Sequence, residues 1–133
     1  MILFDSPVIR LEYIPATDIL IADLSNQYEF YALEVRETLQ LIVEHVRHYN
    51  VTRLLMDSRK RILAMEEAEY ASLMTDFMKA LQTTRLQRFA RLSTGIPARE
   101  DLAQVLNAQT IFTFNFRTFP SNDKAIEWLT SNG

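Results

Sequence analysis

Residues 51 to 63, VTRLLMDSRKRIL, hold the residue types best placed to do chemistry in this chain. An apolar run ends on Asp57 and Ser58 and passes at once into Arg59, Lys60 and Arg61. Strand ends of this kind carry ligands and reactive groups in open α/β sheets. A serine hydroxyl there could accept a phosphate, and the three neighbouring cations could pair with the added charge. In the plainer alternative, Asp57 accepts from local backbone amides and Ser58 makes a turn. A second cluster is Glu44, His45 and His48, close enough on one helix to suggest a metal site. They fall on its polar face with no second ligand group, so a solvated surface is expected and no metal. A third is aromatic: Phe112, Phe114, Phe116 and Trp128, with Phe119, could line a pocket for a lipid or other small hydrophobic molecule. The same spacing also suits an ordinary core.

The familiar catalytic constellations are missing. With two glycines in 133 residues there is no phosphate-cradling loop and no dinucleotide fingerprint. No nucleophile elbow is present. The chain has no cysteine, which removes disulfides, thiolate ligands and cysteine nucleophiles. Asp57 would suit a phosphoaccepting receiver domain, but such a domain needs an acidic pair on its first strand and a lysine closing its fifth. Here a single Asp23 ends the earlier strand, and the last strand closes on FNFRTFP. Magnesium would lack its hard oxygen ligands. The expectation is a protein that is not an enzyme and needs no cofactor. A net charge of −3 argues against nucleic acid. Arg53, Arg85, Arg88 and Arg91 could still join Arg59, Lys60 and Arg61 around an anionic ligand. No apolar run approaches the ~20 residues of a membrane span, and MILFDSPVIRLEY lacks the basic start of a secretory signal. A cytoplasmic protein is expected.

The elements that must position these residues are legible from periodicity. VIRLEYI (8–14) alternates apolar and polar residues, and DILIADL (18–24) follows after Pro15-Ala16-Thr17, which predicts an antiparallel hairpin. Ala32, Val35, Leu39, Ile42, Val46 and Tyr49 fall on one face of a helix over 28–49. Residues 52–57 form a strand whose consecutive Leu54, Leu55 and Met56 imply cover on both faces. A helix over 66–82 places Tyr70, Leu73, Met74, Phe77, Met78 and Leu81 inward, and a strand over 86–92 follows. Pro97 opens a short helix to 106. Residues 109–116 read as a strand, with Phe112, Phe114 and Phe116 on one face. Ser121 is the expected N-cap of a helix over 122–130. The order β-β-α-β-α-β-α-β-α predicts an α/β domain spanning residues 1–133, with a five-stranded mixed sheet and four helices. The hairpin is antiparallel and the remainder parallel. An exposed edge strand makes a homodimer a reasonable expectation.

With that order, DILIADLSNQ, LLMDSRKR, RFARLSTG and the closing FRTFPSNDKAIEWL resemble the SpoIIAA-like group of the STAS superfamily (sulfate transporter and anti-sigma-factor antagonist) over nearly the whole chain. The resemblance implies a five-stranded mixed sheet packed with helices and a regulatory role through an unidentified protein partner. In anti-sigma-factor antagonists of this fold an Asp-Ser at the strand end is followed by a small residue and glycine, and a partner kinase phosphorylates the serine. Asp57-Ser58 matches the first two positions, whereas Arg59-Lys60 replaces the others. The SpoIIAA-like group is also similar to the CRAL-TRIO lipid-transfer fold, which implies a hydrophobic ligand as the alternative.

Overall fold

Residues 1–24, 29–59, 62–109 and 113–131 are described by the structure, a computed structural model. The chain runs β1 (Ile2–Asp5), β2 (Arg10–Ile14), β3 (Ile19–Asp23), β4 (Glu29–Phe30), α1 (Ala32–His48), β5 (Arg53–Asp57), β6 (Ile62–Leu63), α2 (Glu67–Leu81), β7 (Arg88–Leu92), α3 (Pro97–Gln109), β8 (Asn115–Phe119) and α4 (Asn122–Thr130). The main sheet has the order β1-β2-β3-β5-β7-β8. Its first two pairings are antiparallel and the rest parallel.

Strand order dictates where the helices go. From β3 the sheet grows in one direction, so right-handed crossovers place α1, α2 and α3 on one face. Only α4, after the last strand, reaches the other. Strand alternation then divides the core. Leu54, Met56, Phe89 and Phe116 face the three helices. Leu55, Ala90 and Leu92 face Ala125 and Leu129 of α4. The consecutive Leu54-Leu55-Met56 is therefore buried on both sides, as an unbroken apolar run in a central strand should be.

The sheet has six strands rather than the five expected. The extra one, β1, pairs antiparallel with β2 through an irregular register between Ile2 and Phe4. Its side chains are largely exposed, so no apolar–polar alternation marked it. A two-stranded parallel sheet, β4 with β6, was also missed because each strand is two residues long. The last strand lies further along than 109–116: α3 runs to Gln109 and β8 begins at Asn115. Tertiary pairing overrode the phenylalanine alternation there, since register with β7 sets Phe116 against Phe89 and Phe119 against Leu92.

The end of α1 shows how local sequence stops a helix. Asn50 has φ +52°; its N–H donates to Arg47 O at 3.3 Å, and the Val51 N–H donates to Val46 O at 3.0 Å. These are the two bonds of a Schellman stop, in which asparagine tolerates the left-handed conformation. Val46 and Val51 are both buried below it. Asn50→Ala is expected to lower stability by about 1 kcal/mol in urea unfolding, while Asn50→Gly should hold or raise it. At the same end of the sheet the Asp18 carboxylate ties the β2–β3 turn to the start of β5. It accepts from the Tyr13 hydroxyl at 2.6 Å and from the Thr52 N–H at 3.1 Å. Ser121 caps α4, its hydroxyl accepting from the Lys124 N–H at 3.3 Å.

Candidate functional site

The carboxyl ends of the parallel strands bring together the residues most able to contact a ligand or partner. Asp23 and Asp57 close neighbouring strands in register, and the Leu24 N–H donates to Asp57 O at 2.7 Å. The Asp57 carboxylate accepts three bonds from Arg59: the backbone N–H at 3.2 Å, Nε at 3.0 Å and a terminal nitrogen at 2.8 Å. Asp57 thereby folds the turn and holds the Arg59 guanidinium above its ordinary pKa. Ser58 sits inside this loop, 6% exposed. In this conformation its side chain is withdrawn from solvent, and Arg59 is engaged by Asp57. Phosphate transfer to Ser58 would require the loop to open first. Lys60 and Arg61 lie outside the described residues.

A second cluster at the same end was not anticipated as a unit. Arg91, 5% exposed, forks onto both oxygens of Glu100, at 2.9 and 2.7 Å. Thr94 donates to the same carboxylate from its N–H at 3.1 Å and its hydroxyl at 2.8 Å. These bonds hold the Glu100 carboxyl well below its usual range, at about 2, against the opposing effect of burial. The group clasps the start of α3 onto the end of β7. Its trace in the sequence is RFARL: Arg91 shares the inward parity of Phe89, so its charge needs a partner. Beside it, the Arg99 guanidinium lies 5.4 Å from the Tyr70 ring centre, and its buried Nε has no hydrogen-bond partner among the described residues.

The other basic residues do not join this end. Arg53 donates to Thr17 O at 2.6 Å, at the opposite end of the sheet. Arg85 lies in the turn before β7, also at that end. Arg88 faces α4 and donates to the carbonyls of Trp128 and Ser131 at 2.6 and 2.8 Å. Arg53, Arg85 and Arg88 therefore do not gather with Arg59 around one anion: strand direction and side-chain parity disperse them.

The aromatic set is likewise divided. Phe114 and Phe116 pack on Phe89, with ring centres 6.3 and 4.9 Å away. Trp128 lies across the sheet against Phe119, 5.4 Å away. Phe112 is outside the described residues. Phe114, Phe116 and Trp128 do not line one pocket, because Phe116 and Trp128 face opposite sides of the sheet. The cavity beside Phe116 between α2 and α3 holds about 10 Å³, too little for a lipid. His45 Nδ1 donates to Leu41 O, 2.8 Å away, and His45 packs with Tyr49. Among the described residues no three metal-ligating side chains converge, and no helix is long and apolar enough to cross a membrane.

No protein-family model matches the chain, and no curated protein matches it in sequence. Among solved structures it is similar to an uncharacterized protein of the DUF3478 family with a SpoIIAA-like fold, from Shewanella loihica PV-4. The TM-score is 0.56 at 16% identity, with 91% of each chain covered. This likeness establishes the fold.

Proposed function

We propose that this protein, with its SpoIIAA-like fold, is a non-enzymatic interaction module that binds a regulatory protein partner at the carboxyl end of its parallel strands. One observation carries the reading. Tyr31, Leu33 and Ile96, 56%, 63% and 37% exposed, stand at the starts of α1 and α3, at the same end of the sheet as Asp57 and Arg59. Exposed large apolar side chains at the same sheet end as an arginine fit the composition of an interface better than that of a solvated loop. Ser58 lies beneath this surface, so phosphorylation would act by opening the Asp57–Arg59 turn and remodelling the contact. The carrier alternative draws less support, since Phe114 and Phe116 are packed against Phe89.

The test is capture from native lysate with the natural chain and with Leu33→Asp/Ile96→Asp. Both side chains are exposed, so the double variant should unfold at the same temperature and lose a discrete partner that the natural chain retains. Recovery of lipid by native mass spectrometry, or a partner indifferent to both substitutions, would overturn the reading.

A further inference from the structure

We propose that the outer edge of β8 is a docking strand for an acidic, extended peptide of a partner protein, which adds to the sheet as a further strand beside α3. This surface is separate from the one at the carboxyl end, and either can fail without the other.

The backbone shows the open valences. The Asn115 N–H donates to Gln87 O at 2.9 Å, and Phe119 O accepts from the Ser93 N–H at 2.9 Å. Residues 115, 117 and 119 therefore turn their amide groups toward β7. Strand alternation turns those of Phe116 and Thr118 the other way. Among the described residues the main sheet ends at β8, so these two residues offer two donors and two acceptors along its edge. Such an edge is a template for strand addition.

A groove lies beside it. Between α3 and β8 runs an open cleft of about 480 Å³, with Ala103, Gln104 and Asn107 on one wall and Phe116 and Thr118 on the other. A strand laid along β8 would send alternate side chains into this cleft and the intervening ones across the sheet toward α4.

Charge selects the occupant. Arg117 is exposed on the α4 face, its guanidinium 5.7 Å from the centre of the Trp128 ring. No carboxylate pairs with it among the described residues. Glu100, the acid lining the cleft, has both oxygens bonded to Arg91 and Thr94. What remains for a partner to meet is the Arg117 cation on a Trp128 platform. Self-pairing is disfavoured: the two-fold antiparallel register that uses Phe116 and Thr118 sets Arg117 directly against its own copy, and like charges so placed are destabilising. An acidic residue opposite Arg117, flanked by uncharged residues that enter the cleft, satisfies both faces.

The experiment selects phage-displayed random heptapeptides on the intact chain and measures the selected peptides by fluorescence polarisation. Asp or Glu should be enriched between two uncharged residues. Arg117→Glu should weaken binding about tenfold or more, and replacing the peptide's acid with lysine should recover it. Thr118→Pro removes an outward N–H that no described residue accepts, together with the hydroxyl 3.3 Å from Arg91, and should weaken binding comparably. Should that variant fail to fold, methylating the peptide's own backbone nitrogens makes the same test on the unaltered protein. The proposal is overturned by a selection that yields no binder or no acidic preference, by affinity indifferent to Arg117→Glu or to N-methylation, or by light scattering that shows β8 buried in a dimer.

Discussion

Arg91→Ala is expected to reduce the free energy of unfolding by about 3–5 kcal/mol. The substitution leaves Glu100 charged and half-enclosed, with only Thr94 to satisfy it. It also removes a donor from the Thr118 hydroxyl, 3.3 Å from Arg91. The cost comes from the orphaned charge more than from the lost attraction. Replacing both partners, as Arg91→Met with Glu100→Leu, should therefore restore most of the stability, which a urea-unfolding double-mutant cycle reads directly. A cycle in which the double variant is as unstable as the single one would show that the clasp is worth its own attraction. Acid provides an independent measurement. The folded Glu100 carboxyl titrates at about 2 against an ordinary 4.5. Its contribution is complete above the unfolded value and falls as pH drops from about 4.5 through about 2. The loss should be on the order of 2 kcal/mol, discounted because the carboxylate is 28% exposed. Glu100→Gln should flatten stability across that window.

Phe89→Ala should cost about 3–5 kcal/mol, as much as the loss of Arg91 from the same strand. The ring is completely buried and touches three others. Phe77 of α2 meets it edge-on at 6.0 Å, and Phe116 and Phe114 lean on it at 4.9 and 6.3 Å. It thus joins the helical layer to the last strand, and its removal leaves a cavity that a paired backbone cannot collapse. Phe89→Leu keeps most of the volume and should cost about 1.5 kcal/mol. The midpoint in urea should move with little change in the slope. A loss below about 1 kcal/mol for the alanine variant would mean that this junction is loosely packed and would reopen the case for a ligand cavity near Phe116.

The two tests probe what was least and most legible in the chain. Sequence placed Phe89 in a strand over 86–92 without assigning its face, and it read Leu54, Leu55, Met56 and the apolar stripes of α1 and α2 as buried. Ser121 as a cap and the β2–β3 hairpin were equally local. The Arg91–Glu100–Thr94 clasp was not legible, because Arg91 and Glu100 come from different elements and meet only when α3 folds back on β7. Sequence placed Arg91 in a loose basic group; position at the opposite end of the sheet separates Arg53 and Arg85 from it, and side-chain parity separates Arg88. The strand expected over 109–116 shares only Asn115 and Phe116 with β8, since pairing with β7, a non-local interaction, decides where β8 begins. β1 escaped because an edge strand with exposed side chains buries too little to show a period.

What sequence by itself determined is the order of the four helices and of β2, β3, β5, β7 and β8, the apolar faces of α1 and α2, the SpoIIAA-like pattern and Asp57-Ser58 at a strand end. All of these depend on residues near one another in the chain, where helical and strand periods act directly. Tertiary structure alone decided which charges meet, that Ser58 is buried, that Phe116 and Trp128 face opposite sides of the sheet, and that β8 is its last strand among the described residues. Those outcomes depend on strand order and register, and a shift of one residue in register reverses the face on which every side chain lies.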